Sequence, residues 1–316
     1  MQEPLRNQAS HPHPHAHLLP IATFKHGFTT SPHLAATHPH LTHVPLSDSA
    51  LGVHKVSPRT PPHPLVVPPP PIDTHRASDN APPPPPPPSH AWEAFYPRGS
   101  INPKSDVPGG FGFYLTGPKE FRDALEGGAR EVVCGYRMML QEGWEWVRGG
   151  KLPGVFGGVG DLAYSCTGGR QDRRCQCFDL RPMWRAKGLG ELYTYLPLTP
   201  TNQTQLLAAP PDSKANSDYG FSVGRGSFHL DFAVGRWVAV VFRVRMNDHG
   251  KHNGEVQVWV DGESKISLHG LCICDAKEAK IKGMHFQTFF GGHSPEWASP
   301  KDQRAWFADV TGVVVQ

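Results

Sequence analysis

From Phe111 to Val315 the chain returns repeatedly to one pattern: short runs of valine, isoleucine and aromatic residues, separated by glycine-bearing connections. Such side chains suit a pleated surface buried on at least one side. The runs predict strands over Phe111–Leu115, Arg130–Leu140, Trp144–Val147, Cys177–Arg185, Glu191–Leu196, Tyr219–Val223, Arg236–Met246, Glu255–Val260, Ser264–Leu268, Gly283–Phe290 and Ala305–Val315. Asp261-Gly262 between two of them is a hairpin turn. Only Pro118–Leu125 predicts a helix. A chain so dominated by strands implies an all-β fold, a β-jelly roll or concanavalin-like sandwich of two antiparallel sheets.

The pattern does not extend to the N-terminus. The first 92 of the 316 residues hold 13 of the 19 histidines and 22 of the 34 prolines, among them Pro68–Pro71 and Pro82–Pro88. Proline donates no backbone hydrogen bond, and a stretch this poor in aromatics buries too little to offset its ordering entropy. Residues 1–91 are therefore expected to be a disordered, partly polyproline II leader, and residues 92–316 the folded domain.

Charge excludes little. Lys and Arg number 31 against 28 Asp and Glu, with no basic stripe of the kind that nucleic acid requires. No apolar segment approaches membrane-spanning length, and Met1 is followed by no signal-peptide pattern. Two features favour an extracellular route all the same. The six cysteines include Cys166, which a disulfide could join to Cys175 or Cys177 around a polar loop, and Asn202-Gln-Thr is a glycosylation sequon.

Candidate chemistry centres on Cys177–Tyr195. A turn centred on Gly188 puts Arg181 opposite Tyr195 and Met183 opposite Tyr193. Alternation then places Asp179, Arg181, Arg185, Tyr193 and Tyr195 on one face. A guanidinium is the side chain best matched to a carboxylate. Lys151 follows two glycines and precedes Leu-Pro-Gly, so its loop holds it in a defined direction. His285 and Gln287 alternate with apolar neighbours and could line the same groove. The cysteine spacings and the His249/His252 loop do not make a metal site, and the glycine run at 154–160 lacks the lysine of a phosphate loop.

Tyr96-Pro-Arg-Gly-Ser-Ile-Asn-Pro-Lys-Ser, Pro108-Gly-Gly-Phe-Gly-Phe-Tyr, Gly149-Gly-Lys-Leu-Pro-Gly, Cys177-Phe-x-x-Arg-x-Met-Trp-Arg, Gly190-Glu-Leu-Tyr-Thr-Tyr and Gln287-Thr-Phe-Phe-Gly-Gly occur in order along the domain. Together they resemble polysaccharide lyase family 14, its fungal members above all, from about Ala91 to Gln316. The resemblance implies a jelly roll that cleaves a uronic-acid polymer, alginate or glucuronan, by β-elimination. It implies an acidic polysaccharide as partner, no metal or organic cofactor, a monomer and a secreted protein. Lys151 matches the family's essential lysine, Arg181 its carboxylate-binding arginine, and Tyr193 and Tyr195 its paired tyrosines. On that reading Tyr193 carries the acid/base work and Tyr195 orients, while Asp179, Arg185, His285 and Gln287 line the substrate groove. Where the family pattern has serine, this chain has Asp179, which could pair with Arg181 and repel an anionic polymer. A non-catalytic, lectin-like module on the same fold is the alternative.

Overall fold

A computed structural model describes residues 17–72, 85–216 and 219–316, which form two packed sheets. One runs, strand by strand, Glu263–Leu271, Gly254–Val260, Val238–Arg245, Glu131–Leu140, Gln303–Val314, His26–Thr29 and Leu41–His43. Ala91–Tyr96 also pairs with Gln303–Val314, and Leu65–Val66 pairs with Ala91–Tyr96. The other runs Lys214–Asn216, Gly220–His229, Leu189–Tyr195, Cys177–Arg185, Gly149–Lys151, Lys280–Phe290, Phe111–Leu115 and Val53–His54, with Gly154–Gly158 lying between Cys177–Arg185 and Lys280–Phe290. Neighbours are antiparallel except His26–Thr29 with Leu41–His43. This is the jelly-roll sandwich that the strand pattern predicts.

Alternation sorts the side chains of the second sheet. Phe111, Phe113, Val155, Phe178, Leu180, Trp184, Leu192 and Phe286 point inward and join Tyr136, Val240 and Phe307 of the first sheet in one core. Their neighbours in sequence face away from that core, and the candidate groups belong to this second set. Two glycines permit the packing. A Cβ on Gly150 would lie 2.0 Å from the Trp184 ring, and one on Gly154 would lie 1.9 Å from the Leu180 carbonyl oxygen.

The N-terminal expectation fails for residues 17–72. His26–Thr29 extends the first sheet along Thr311–Val314, and Val53–His54 extends the second along Tyr114–Leu115. Leu18, Leu19, Leu34 and Leu41 cover Val133, Val241, Trp259 and Val313 on the outer face of the first sheet. His63 packs 4.4 Å from the Phe113 ring and hydrogen-bonds Asp48 at 3.0 Å. Pro85 and Pro86 offer their carbonyls to Arg137. Scattered apolar residues in strands of two to four residues give no readable period, yet each lands on a ready-made edge or face. Residues 1–16 and 73–84 of the expected leader lie outside the described residues.

Three further expectations change. Trp144–Val147 forms no strand, because Trp144 turns inward to stack 5.6 Å from Phe290. Pro200–Leu207 is a helix, capped by Thr199 accepting from the Asn202 N–H at 3.2 Å. Asn202 is fully buried there, its amide donating to the Pro197 and Cys272 carbonyls and accepting from Cys272 N–H. The sequon is thus committed to structure and closed to glycosylation.

Candidate active site

The hairpin Cys177–Arg185/Leu189–Tyr195 sets the site. Its turn places both Lys187 and Gly188 in the left-handed region, at φ 60° and 75°. The turn centres on Lys187, one residue earlier than expected, so Arg181 stands opposite Tyr193 and Asp179 opposite Tyr195. Moving the centre by one residue shifts the pairing by two, which leaves every side chain on its expected face.

On the far side of Cys177–Arg185, Lys151 stands opposite Met183 and is also paired with Phe289. Its half-buried side chain crosses to the tyrosines: Nζ donates to Tyr195 Oη at 3.3 Å and sits 4.1 Å over the Tyr193 ring. Burial lowers the pKa of this lysine, partly offset by the neighbouring Tyr195 oxygen.

The two phenols diverge. Burial raises both, but at Tyr195 the Lys151 charge and the Gly169 N–H, 3.0 Å from Oη, outweigh it and leave the phenol below its ordinary value. Tyr193 stays well above, through burial and the adjacent Tyr195 oxygen, and its hydroxyl donates to the Tyr219 carbonyl at 2.8 Å.

Arg181 reaches the opposite way. Nε donates to the Leu152 carbonyl at 3.1 Å, while Nη1 and Nη2 hold the Gln287 side-chain and main-chain oxygens at 3.0 and 2.5 Å. Gln287 therefore positions the arginine. Asp179 does not pair with Arg181. Its Oδ2 lies 2.7 Å from His285 Nδ1, its Oδ1 is buried without a hydrogen-bond partner, and His285 stacks on Tyr114 at 4.2 Å. Burial keeps His285 below the usual imidazole value, the Arg181 charge acting in the same direction.

Arg185 is not part of this cluster. It is paired with the buried Glu191 at 2.5 Å, whose other oxygen holds Arg225 at 2.7 Å. That is an ion pair closing the turn end of the hairpin.

Sequence reasoning missed what covers the phenols. Of the two pairings the cysteine spacing left open, Cys166–Cys177 forms, and Cys175 remains a free, exposed thiol. The loop so closed brings Gly169 to Tyr195 and lays the Arg174 guanidinium 4.7 Å over its ring, with Nη2 on the Tyr219 carbonyl at 2.7 Å. Arg181, Tyr193 and Tyr195 are only 2, 3 and 1% exposed.

A jelly roll bearing a lysine, an arginine and paired tyrosines on an outward sheet face is the arrangement that the sequence resemblance implies. Residues 86–310 match the family described as Polysaccharide lyase 14, and the chain belongs to that family. Among solved structures it is similar to the marine PL-14 alginate lyase of Aplysia kurodai, at 27% identity and TM-score 0.64 over 93% of this chain and all of that one. Alginate lyase vAL-1 from a Chlorella virus aligns at 20% identity and TM-score 0.61, covering 84% of this chain and 93% of that one. Alginate lyase Aly36B, solved as a mutant with an alginate tetrasaccharide, aligns at 16% identity and TM-score 0.53 over 72% and 81%. No curated protein matches the sequence. The special likeness to fungal members finds no support in these matches.

Proposed function

We propose that the protein is a polysaccharide lyase that cleaves an acidic, uronate-containing polymer by β-elimination. The observation that carries this reading is the Lys151–Tyr195 contact beside Arg181: a cation and a phenol with a lowered pKa share a hydrogen bond next to a fixed guanidinium.

The C5 proton of a uronate is too weakly acidic while its carboxylate carries full charge. Arg181, held by Gln287 and the Leu152 carbonyl, neutralises that carboxylate and stabilises the charge that develops on it. The Tyr195 phenolate takes the C5 proton, the C–H electrons become the C4–C5 double bond, and the C4–O4 bond breaks. Lys151, made more acidic by burial, gives its proton to the departing O4. Transfer from Tyr195 Oη to Lys151 Nζ across their hydrogen bond restores both groups. This assigns the base to Tyr195, reversing the roles suggested by the family likeness alone. Tyr193 keeps its proton and orients the pair.

The lectin-like alternative draws on one observation, the buried Asp179 carboxylate on the same strand face as Arg181. Replacing Tyr195 with phenylalanine separates the readings. A lyase loses turnover and keeps polymer affinity, whereas a binding module gives no unsaturated chain ends before or after the change.

A further inference from the structure

The strand Val53–His54 lies outside the residues matched by the family, yet it completes the sheet that carries Lys151 and Arg181. Strand registers line up a row across this sheet. His54 stands opposite Tyr114, Tyr114 opposite His285, and His285 opposite Gly154. Gly154 lies directly against Leu180 and Arg181, and Arg181 stands opposite Tyr193. With strands about 4.8 Å apart, the four steps from His54 to Arg181 span roughly 19 Å, the reach of an oligosaccharide rather than one sugar.

The row is continuous in chemistry as well. Tyr114, stacked on His285, meets Tyr164 edge-on at 4.8 Å. His54 is pinned from both sides, Nδ1 to the Gly52 carbonyl at 3.0 Å and Nε2 to Tyr164 Oη at 2.9 Å. Lys55, exposed and held in the left-handed region at φ 48°, places Nζ 4.5 Å over the Tyr164 ring. A polyuronate carries a carboxylate on successive sugars, and Arg181 can take one. At the far end of the row, Lys55 is a solvent-facing cation on an aromatic platform, with Tyr164 Oη, fixed in place by His54, beside it as a hydrogen-bond acceptor.

We propose that His54, Lys55 and Tyr164 form a distal subsite for an acidic sugar of the chain whose reacting unit lies at Arg181. The inference rests on the lyase reading for the position of the reacting sugar, but not for binding itself. Asp161, on the same short helical turn as Tyr164, limits the local positive charge. The gain is therefore that of an exposed ion contact.

The test uses the full chain and its Lys55→Asn variant, asparagine being at ease in a left-handed backbone. Steady-state cleavage of alginate or glucuronan trisaccharide and octasaccharide is compared. The subsite predicts that KM for the octasaccharide rises roughly threefold to fivefold, with kcat and the trisaccharide KM unchanged. No change, or an equal change at both lengths, overturns it. If the native chain cleaves neither polymer, calorimetric binding of the octasaccharides decides. Binding weakened by Lys55→Asn keeps the subsite while sinking the lyase reading. Binding indifferent to Lys55→Asn, or no binding at all, overturns the subsite.

Discussion

Lys151 Nζ hydrogen-bonds Tyr195 Oη at 3.3 Å but meets Tyr193 only through its ring, 4.1 Å away, so one ammonium treats two adjacent phenols unequally. Tyr195→Phe should lower kcat by about 10²–10⁴-fold, the usual contribution of a positioned proton-transfer group, with polymer affinity intact. Tyr193→Phe removes the bond to the Tyr219 carbonyl and should cost about 1 kcal/mol of stability, with a smaller loss of turnover. Steady-state kinetics and melting on both variants check the pair. Equal losses of kcat would contradict the division of roles.

The pH profile follows from the same contact. Lowering the phenol's pKa means the phenolate is present above that lowered value and is lost as pH falls through it. Lowering the lysine's pKa means the ammonium is lost as pH rises, sooner than for a free lysine. kcat/KM should therefore rise with pH and then fall, both limbs belonging to the coupled pair. Lys151→Met removes the charge that depresses Tyr195, so residual activity should show its rising limb at higher pH. An unmoved limb would assign the base elsewhere.

Asp179 is held by a neutral His285, which adds no positive charge to the face. Two positions along a strand from Arg181, or roughly 7 Å, a carboxylate opposes a bound uronate by on the order of 2 kcal/mol at an effective dielectric near 20. Asp179→Ser should raise kcat/KM on the polymer roughly thirtyfold, mainly through KM. A fall would show that the carboxylate contacts the sugar itself.

Residues 17–72 should be needed for stability. Burying a leucine or phenylalanine contributes about 1.5–3 kcal/mol, and Leu18, Leu19, Phe28, Leu34, Leu41 and Leu51 are all buried. A chain beginning at residue 85 should melt well below the full protein by calorimetry. Equal melting temperatures would contradict this.

Cys177–Arg185 was legible because Phe178, Leu180 and Trp184, which enter the core, alternate with Asp179, Arg181 and Arg185, which do not. The same alternation put Asp179, Arg181, Tyr193 and Tyr195 on one face even with the turn misplaced. The turn itself was not legible, since Lys187 adopts a positive φ that sequence gives no reason to expect. The N-terminal strands were hidden for another reason. His26–Thr29 and Val53–His54 are too short to show a period, and what orders them is the edge supplied by distant residues. The inequality of the two tyrosines comes first from the Lys151 charge and then from the Gly169 N–H, which sits on a loop whose path no local pattern encodes.

The central claim is elimination at a uronate. It is tested most directly by incubating the full chain with alginate and with glucuronan and following the ultraviolet absorbance of unsaturated uronate ends. The account predicts a steady rise on at least one polymer, abolished by Tyr195→Phe. Folded protein that produces no rise on either polymer, or a rise undiminished in Tyr195→Phe, would contradict it.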